Sequence, residues 1–225
     1  QAGKVVRVQA MKQACVADVC LYPFLCGDMD GIIQDSMPYW TYLGREYLVS
    51  VGSTPPQNLH ESIDAMAREE SARYFRQTLG LDKPEETIIE EIFSLIADEY
   101  RQLVPAKAFA ADAIPQAHRA GCRMCVLTTS DKELASQALR RVGLLDCFEA
   151  ILSTDTLGLD KRSGTIYERT CELLGFDIAQ TLICEDAPYA VRAAKQTKAK
   201  VLAVYDPESE GDWDALCRLA DWWAK

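Results

Sequence analysis

No stretch of this 225-residue chain holds the roughly 18 consecutive apolar residues that a membrane-spanning helix needs. Nothing at its start reads as a charged-then-apolar leader ending in a small-residue cleavage site. No basic stripe is visible. Lysine and arginine number 24 against 34 aspartates and glutamates, a net charge of −10, which argues against a nucleic-acid partner. No G-x-G-x-x-G follows a strand, so the dinucleotide fingerprint is missing. Internal repeats and low-complexity segments are also missing. The expectation is a cytoplasmic protein with no membrane or nucleic-acid partner, monomeric or a small homo-oligomer.

What is present is ordinary for a folded domain: 48% hydrophobic and 26% charged residues, in a chain long enough to bury a sizeable core. Nine cysteines, an odd count, are scattered mostly among apolar neighbours and read as reduced core thiols. Cys122 and Cys125 form a formal C-x-x-C, but they open an apolar run and no second pair completes a zinc site.

Patterning divides the chain. Residues 1–19 are weakly patterned and expected to be an N-terminal extension, with Met11 a candidate natural start. Residues 20–27 read as a strand despite Pro23. Residues 36–105 carry only helical periodicity, with Met37, Trp40, Gly44 and Leu48, then Ile63, Met66, Ala67, Tyr74 and Phe75. A helix over 84–103 is expected from Pro84, Glu85 and Glu86 in its first turn. Its apolar stripe is Ile89, Ile92, Phe93, Ile96, Tyr100 and Leu103.

From about residue 106 strands and helices alternate: strands at 123–128, 148–153, 181–184 and 200–204, with helices between them and a last helix over 212–222. Ser130 and Glu133 are expected to cap one of these helices as a box. This alternation predicts an α/β fold. Its core is a Rossmann-like, doubly wound parallel sheet from residues 20–35 and 106–225, with an all-helical cap, residues 36–105, inserted after the first strand.

In such sheets ligands bind outside the carboxyl ends of the strands. Successive ends offer Asp28 and Asp30, then Thr128, Thr129 and Ser130, then Lys161, then Glu185 and Asp186. Asp28 and Asp30 are two apart, so an extended chain would set their carboxylates on one face, roughly 7 Å apart. Gly31 lets the backbone turn. Four converging carboxylates against one lysine call for a hard divalent cation, and Mg²⁺ bound to oxygen ligands fits. Asp28 could then attack phosphorus, and Asp30 could move the proton. Lys161 and Thr128 could hold the phosphoryl oxygens.

These residues resemble a known family. CGDMDGIIQDS (26–36), VLTTS (126–130), Lys161 in GLDKRSGTIYE, and ICEDAPYAVRAAK (183–195) are similar, in order, to the four motifs of the haloacid dehalogenase-like (HAD) hydrolases. The helical block lies where subfamily I members carry a cap. The resemblance implies an Mg²⁺-dependent phosphatase acting through an aspartyl phosphate on a small phosphorylated metabolite, such as a phosphoglycolate-like acid or a sugar phosphate. It gives catalytic roles to Asp28, Asp30, Thr128 and Lys161. It places the metal on Asp28, Asp186, Glu185 and the backbone carbonyl of Asp30. Thr129, Gly31 and Arg45 are the candidate substrate-binding residues. Dehalogenation is disfavoured because that branch lacks the second aspartate of D-x-D.

The β-phosphoglucomutase-like branch carries a cap histidine twelve residues after the nucleophile, and here that residue is Trp40, expected to be cap core. His60 and His118 do not fit the role, which favours hydrolysis. A phosphomutase, or a low-activity binding protein on the same fold, is the alternative. Arg162 stands after Lys161 where proline is usual.

Overall fold

The computed structural model describes residues 12–63, 66 and 68–225. Met11 and Ala67, both named above, lie outside the described residues. Seven strands form one sheet: β1 (Lys12–Gln13), β2 (Phe24–Gly27), β3 (Arg123–Thr128), β4 (Ala150–Ser153), β5 (Thr181–Glu185), β6 (Lys200–Val204) and β7 (Trp222–Ala224). Their order is β1-β7-β6-β5-β2-β3-β4, and every pairing is parallel. From β2 the chain winds outward to β3 and β4, then returns to β5 and β6 on the other side. The reversal lies at the boundary of β2 and β5, where a crevice opens outside the strand ends.

The helices are α1 (Val16–Val19), α2 (Met37–Ser50), α3 (Leu59–Ile63), α4 (Arg68–Gln77), α5 (Glu85–Gln102), α6 (Ala108–Arg119), α7 (Lys132–Arg141), α8 (Thr154–Leu157), α9 (Thr165–Leu174), α10 (Pro188–Ala194) and α11 (Trp213–Leu219). Alternate strand residues feed two cores, as the two-residue period requires. Leu25, Met124, Val126, Leu182 and Leu202 pack on the side of α6 and α7. Cys26, Cys125, Leu127, Ile183 and Val201 pack on the side of α9, α10 and α11. Sheets covered on both faces have strands that read as continuous apolar runs, and β3 and β5 do.

Between β2 and α6 the described residues form helices and the loops joining them, with isolated bridges only at Asp30–Gln34 and Gln34–Ala106. Tyr47, Leu48, Leu59, Phe75 and Ile88 make a third cluster within this insert. Helix α5 bridges two cores. Ile88 belongs to the insert, whereas Ile96, Ala97 and Tyr100 join the cluster of α6 and α7. Of the expected stripe, Ile96 and Tyr100 are buried and Ile89 and Ile92 pack against the clusters, whereas Phe93 and Leu103 are exposed.

Several expectations need correction. The first strand is four residues long, because Val16–Val19 already turn as a helix and Pro23 has no N–H for the ladder. Residues 12 and 13 are not loose, since they pair with β7. The last helix ends at Leu219, and Trp222 lies in β7. Asp221 turns the chain there by accepting from Val201 N and Lys195 Nζ. The cap of α7 is Asp131, which accepts from Leu134 N at 2.9 Å, rather than Ser130. Helix α6 was not anticipated, and it carries Pro115. Cys122 and Cys125 are buried free thiols, in keeping with the core reading. Among the described residues no helix is long and apolar enough to cross a membrane.

Lys107, where the insert rejoins the sheet, donates to Asp206 Oδ2 at 2.7 Å and to the Tyr205 carbonyl at 2.9 Å. Asp206 is fully buried. Lys107→Met would leave that carboxylate without its cation. The expected cost is about 3 kcal/mol, the lower end for breaking a buried pair, read as a lower urea midpoint at unchanged slope.

Candidate active site

The strand ends bring the motif residues together. Asp28 follows β2 directly, and its N–H continues the ladder to the Cys184 carbonyl at 3.1 Å. Glu185 ends β5, and Asp186 follows before α10. One carboxylate oxygen each from Asp28, Glu185 and Asp186 lie within 4.8 Å of one another. Gly31 makes this approach possible. Its φ is +73°, and a Cβ there would stand 2.2 Å from Asp186 Oδ2.

Lys161 enters from the loop after α8. Its Nζ lies 2.9 Å from Asp28 Oδ1 and 2.9 Å from Glu185 Oε1, and only 2% of its side chain is exposed. Tyr167 on α9 donates to the same Glu185 Oε1 at 2.8 Å. Glu185 Oε2 is buried with no hydrogen-bond partner. Three carboxylates thus face one ammonium, with an acceptor left over. Buried charge of this kind requires compensation.

The titration shifts agree. Burial pushes Asp28 up to about 7, aided by the Glu185 and Asp30 charges and opposed by Lys161. Burial first, then Asp28 and Glu185, push Asp186 well above the carboxylate range. Burial works against the charge on Lys161, but the two carboxylates outweigh it and raise its pKa, so it stays an ammonium. An oxygen-loving divalent cation fits this donor set: three close carboxylate oxygens, one orphan and a deficit of positive charge.

Asp30 departs from the expected convergence. The strand has ended at Gly27, so the alternation assumed for Asp28 and Asp30 no longer applies. The Asp30 carboxylate instead meets three hydroxyls. Oδ1 accepts from Ser36 Oγ at 2.7 Å and from the Tyr100 hydroxyl, and Oδ2 accepts from Ser130 Oγ at 2.9 Å. Thr128 is buried at the end of β3, and its Oγ1 accepts from Ser130 N at 3.0 Å. Thr129 is exposed and lines an open cleft of about 480 Å³ beside Lys161, with Thr154, Asp155, Asp160, Arg162 and Tyr189. Arg162 lies over the Tyr189 ring at 5.0 Å. Arg45 is exposed on α2, a helix packed against α3 and α5, and no contact brings it to the strand ends. Trp40 is not insert core. It is 39% exposed, and its Nε1 donates to the Tyr100 hydroxyl at 2.8 Å.

A family model described as haloacid dehalogenase-like hydrolase matches residues 27–204. The chain belongs to that family. Hexitol phosphatase B of Escherichia coli (strain K12) is 25% identical over 191 residues, 82% of this chain and 84% of that protein. The β-phosphoglucomutase of Bacillus subtilis (strain 168) is 24% identical over 174 residues, 75% of this chain and 76% of that one. A solved structure from Thermotoga maritima aligns at TM-score 0.79 and 20% identity, over 90% of this chain and 93% of that one, a likeness of fold. This HAD hydrolase is therefore an enzyme of the phosphoric monoester hydrolase type.

Four residues at the HAD site were given no role there by the sequence. Ser130 was named among the strand-end hydroxyls, but its role was that of a helix cap. Tyr100 was assigned to an apolar stripe by its spacing. Ser36 and Tyr167 carry no local signal, since each reaches its carboxylate through tertiary packing.

Two outcomes follow for this HAD site. The Asp28 carboxyl pKa, about 7, lies above its ordinary value of 3.8, so below about pH 7 a bound cation must displace a proton. Mg²⁺ affinity measured by titration calorimetry is expected to fall as the pH drops below about 7, because the raised Asp28 and Asp186 carboxyls must both lose their protons to bind. Gly31→Ala forces Asp186 aside. It should weaken Mg²⁺ binding by at least about tenfold in the same measurement.

Proposed function

We propose that this chain is an Mg²⁺-dependent phosphatase that hydrolyses a small phosphorylated sugar or related metabolite through an aspartyl phosphate on Asp28. The observation that carries the reading is the carboxylate triad with its orphan oxygen, closed on one side by Lys161. Asp28, Asp186 and Glu185, with the Asp30 backbone carbonyl, would hold Mg²⁺. Bound there, the ion supplies positive charge to the phosphoryl oxygens and the acidic cluster.

The chain's own residues then divide the chemistry. Asp28 Oδ attacks phosphorus, an oxygen–phosphorus bond forms, and the ester P–O bond breaks. Asp30 delivers a proton to the departing oxygen, so the alcohol leaves neutral. In the second half Asp30 takes a proton from a water, whose oxygen attacks the same phosphorus and releases phosphate from Asp28. Lys161 holds Asp28 and offers its ammonium to the charge that builds on the phosphoryl group. The Thr128 hydroxyl and the backbone after β3 complete the cradle. Thr129 and the neighbouring cleft offer polar groups to the rest of the substrate, and Gly31 gives the clearance that keeps Asp186 in place. Arg45 has no part in this scheme.

Residues 36–105 would serve as the cap, closing over the strand ends to exclude water and select substrate, with 20–35 and 106–225 as the core. The phosphorylated-sugar class is supported by the hexitol phosphatase relative. The β-phosphoglucomutase relative keeps a mutase in view, but an indole at position 40 has no basic nitrogen with which to shuttle the proton.

Turnover of a panel of sugar and sugar-alcohol phosphates with Mg²⁺, and its loss in EDTA, tests the proposal. Asp28→Asn should lower kcat by at least about 10³-fold. Equal activity in wild type and Asp28→Asn would sink it. A sugar-phosphate isomer with phosphate retained would show the mutase instead.

A further inference from the structure

We propose that Tyr100, in the last turn of helix α5, is a positioning residue for the proton-transfer carboxyl of Asp30, and that Trp40 in turn holds Tyr100. The inference rests on the phosphatase reading above and adds to it two residues of the helical insert.

The hydrogen-bond inventory fixes the direction of the chain. An indole N–H can only donate, whereas a phenol donates one proton and accepts at its lone pairs. Trp40 Nε1 donates to the Tyr100 oxygen at 2.8 Å, with the rings edge to face at 6.3 Å between centroids. The Tyr100 proton is thereby left for Asp30 Oδ1, to which it donates. Tyr100 is completely buried, so no solvent competes for that proton and its side chain has no path to the substrate.

Asp30 needs this support. It lies beyond the end of β2, in a turn, where the ladder no longer dictates its side chain. Ser36 holds Oδ1 from the entry to the insert, Tyr100 holds the same oxygen from near its exit, and Ser130 holds Oδ2 from the sheet side. Ser36 precedes α2 but spends its hydroxyl on Asp30 and makes no side-chain cap. Three donors from three segments select one rotamer of a carboxyl that would otherwise sample several. Trp40 thus acts on Asp30 one step back, through Tyr100.

A positioning role for the general acid makes a specific kinetic mark. Nitrophenolate departs from phosphorus as an anion and needs little proton transfer, whereas phenolate is a poorer leaving group and needs more. We would measure kcat/KM of the Mg²⁺-loaded full chain on p-nitrophenyl phosphate and phenyl phosphate, for wild type, Tyr100→Phe and Trp40→Phe. Tyr100→Phe is expected to lose about tenfold on phenyl phosphate and less than about threefold on p-nitrophenyl phosphate, a part of the roughly 10²–10⁴-fold that general acid–base catalysis contributes. Trp40→Phe should shift in the same direction by a smaller factor, and at a part-exposed position it tests the idea even if Tyr100→Phe does not fold. An equal loss on both esters, or none on phenyl phosphate, would overturn the inference. Wild type inactive on both esters would remove the phosphatase reading itself, a different result from a changed ratio.

Discussion

An excess of buried negative charge at the junction of β2 and β5 is the constraint on which the site depends. Asp28, Glu185 and Asp186 are drawn together by parallel strands whose register is set by apolar packing on both faces. Among the described residues Lys161 is the one ammonium in contact with them, paired to two of the three. Charge of this kind is tolerated inside a protein only where protonation, an ion or a ligand offsets it. The raised carboxyl pKa values and the orphaned Glu185 oxygen are two expressions of the same deficit. Tyr167 pins the inner oxygen of Glu185, leaving the other for a ligand.

The helical insert is joined to this site through hydrogen bonds as well as through its two connections. Helix α5 packs along α7, with Arg141 donating to the Tyr100 and Val104 carbonyls and Arg101 to Gln137. Thr41 on α2 donates to Glu208 beyond β6 at 2.8 Å. Lys107 ties the return connection to Asp206. The carboxyl proposed to move the proton therefore sits where the insert and the sheet meet, and its donors come from both.

The parallel sheet was legible from apolar runs punctuated by helix signals, and its reacting residues from what stands at the run ends. Asp28, Lys161, Glu185 and Asp186 are found together where the strand-end argument expects them. The edge of the sheet was not legible. Trp222–Ala224 looks like the tail of an amphipathic helix until Asp221 captures Val201 N and redirects the chain. Helix α5 was placed correctly but its buried face only in part, because one helix serves two cores and periodicity reports a single average face. Asp30 was expected among the other carboxylates by an alternation that holds only inside a strand.

The sequence by itself determined the chemistry on offer: the order of strands and helices, and acidic, hydroxyl and amine groups at successive strand ends. These are local properties, since periodicity and turn residues act over a few positions. Tertiary structure alone decided which donor meets which oxygen. Ser36, Tyr100 and Ser130 come from separate segments to one carboxylate, and Tyr167 finds Glu185 across a helix–sheet contact. Hydrogen bonds are made over about 3 Å between groups far apart in the chain, so no reading of neighbours along it could assign them.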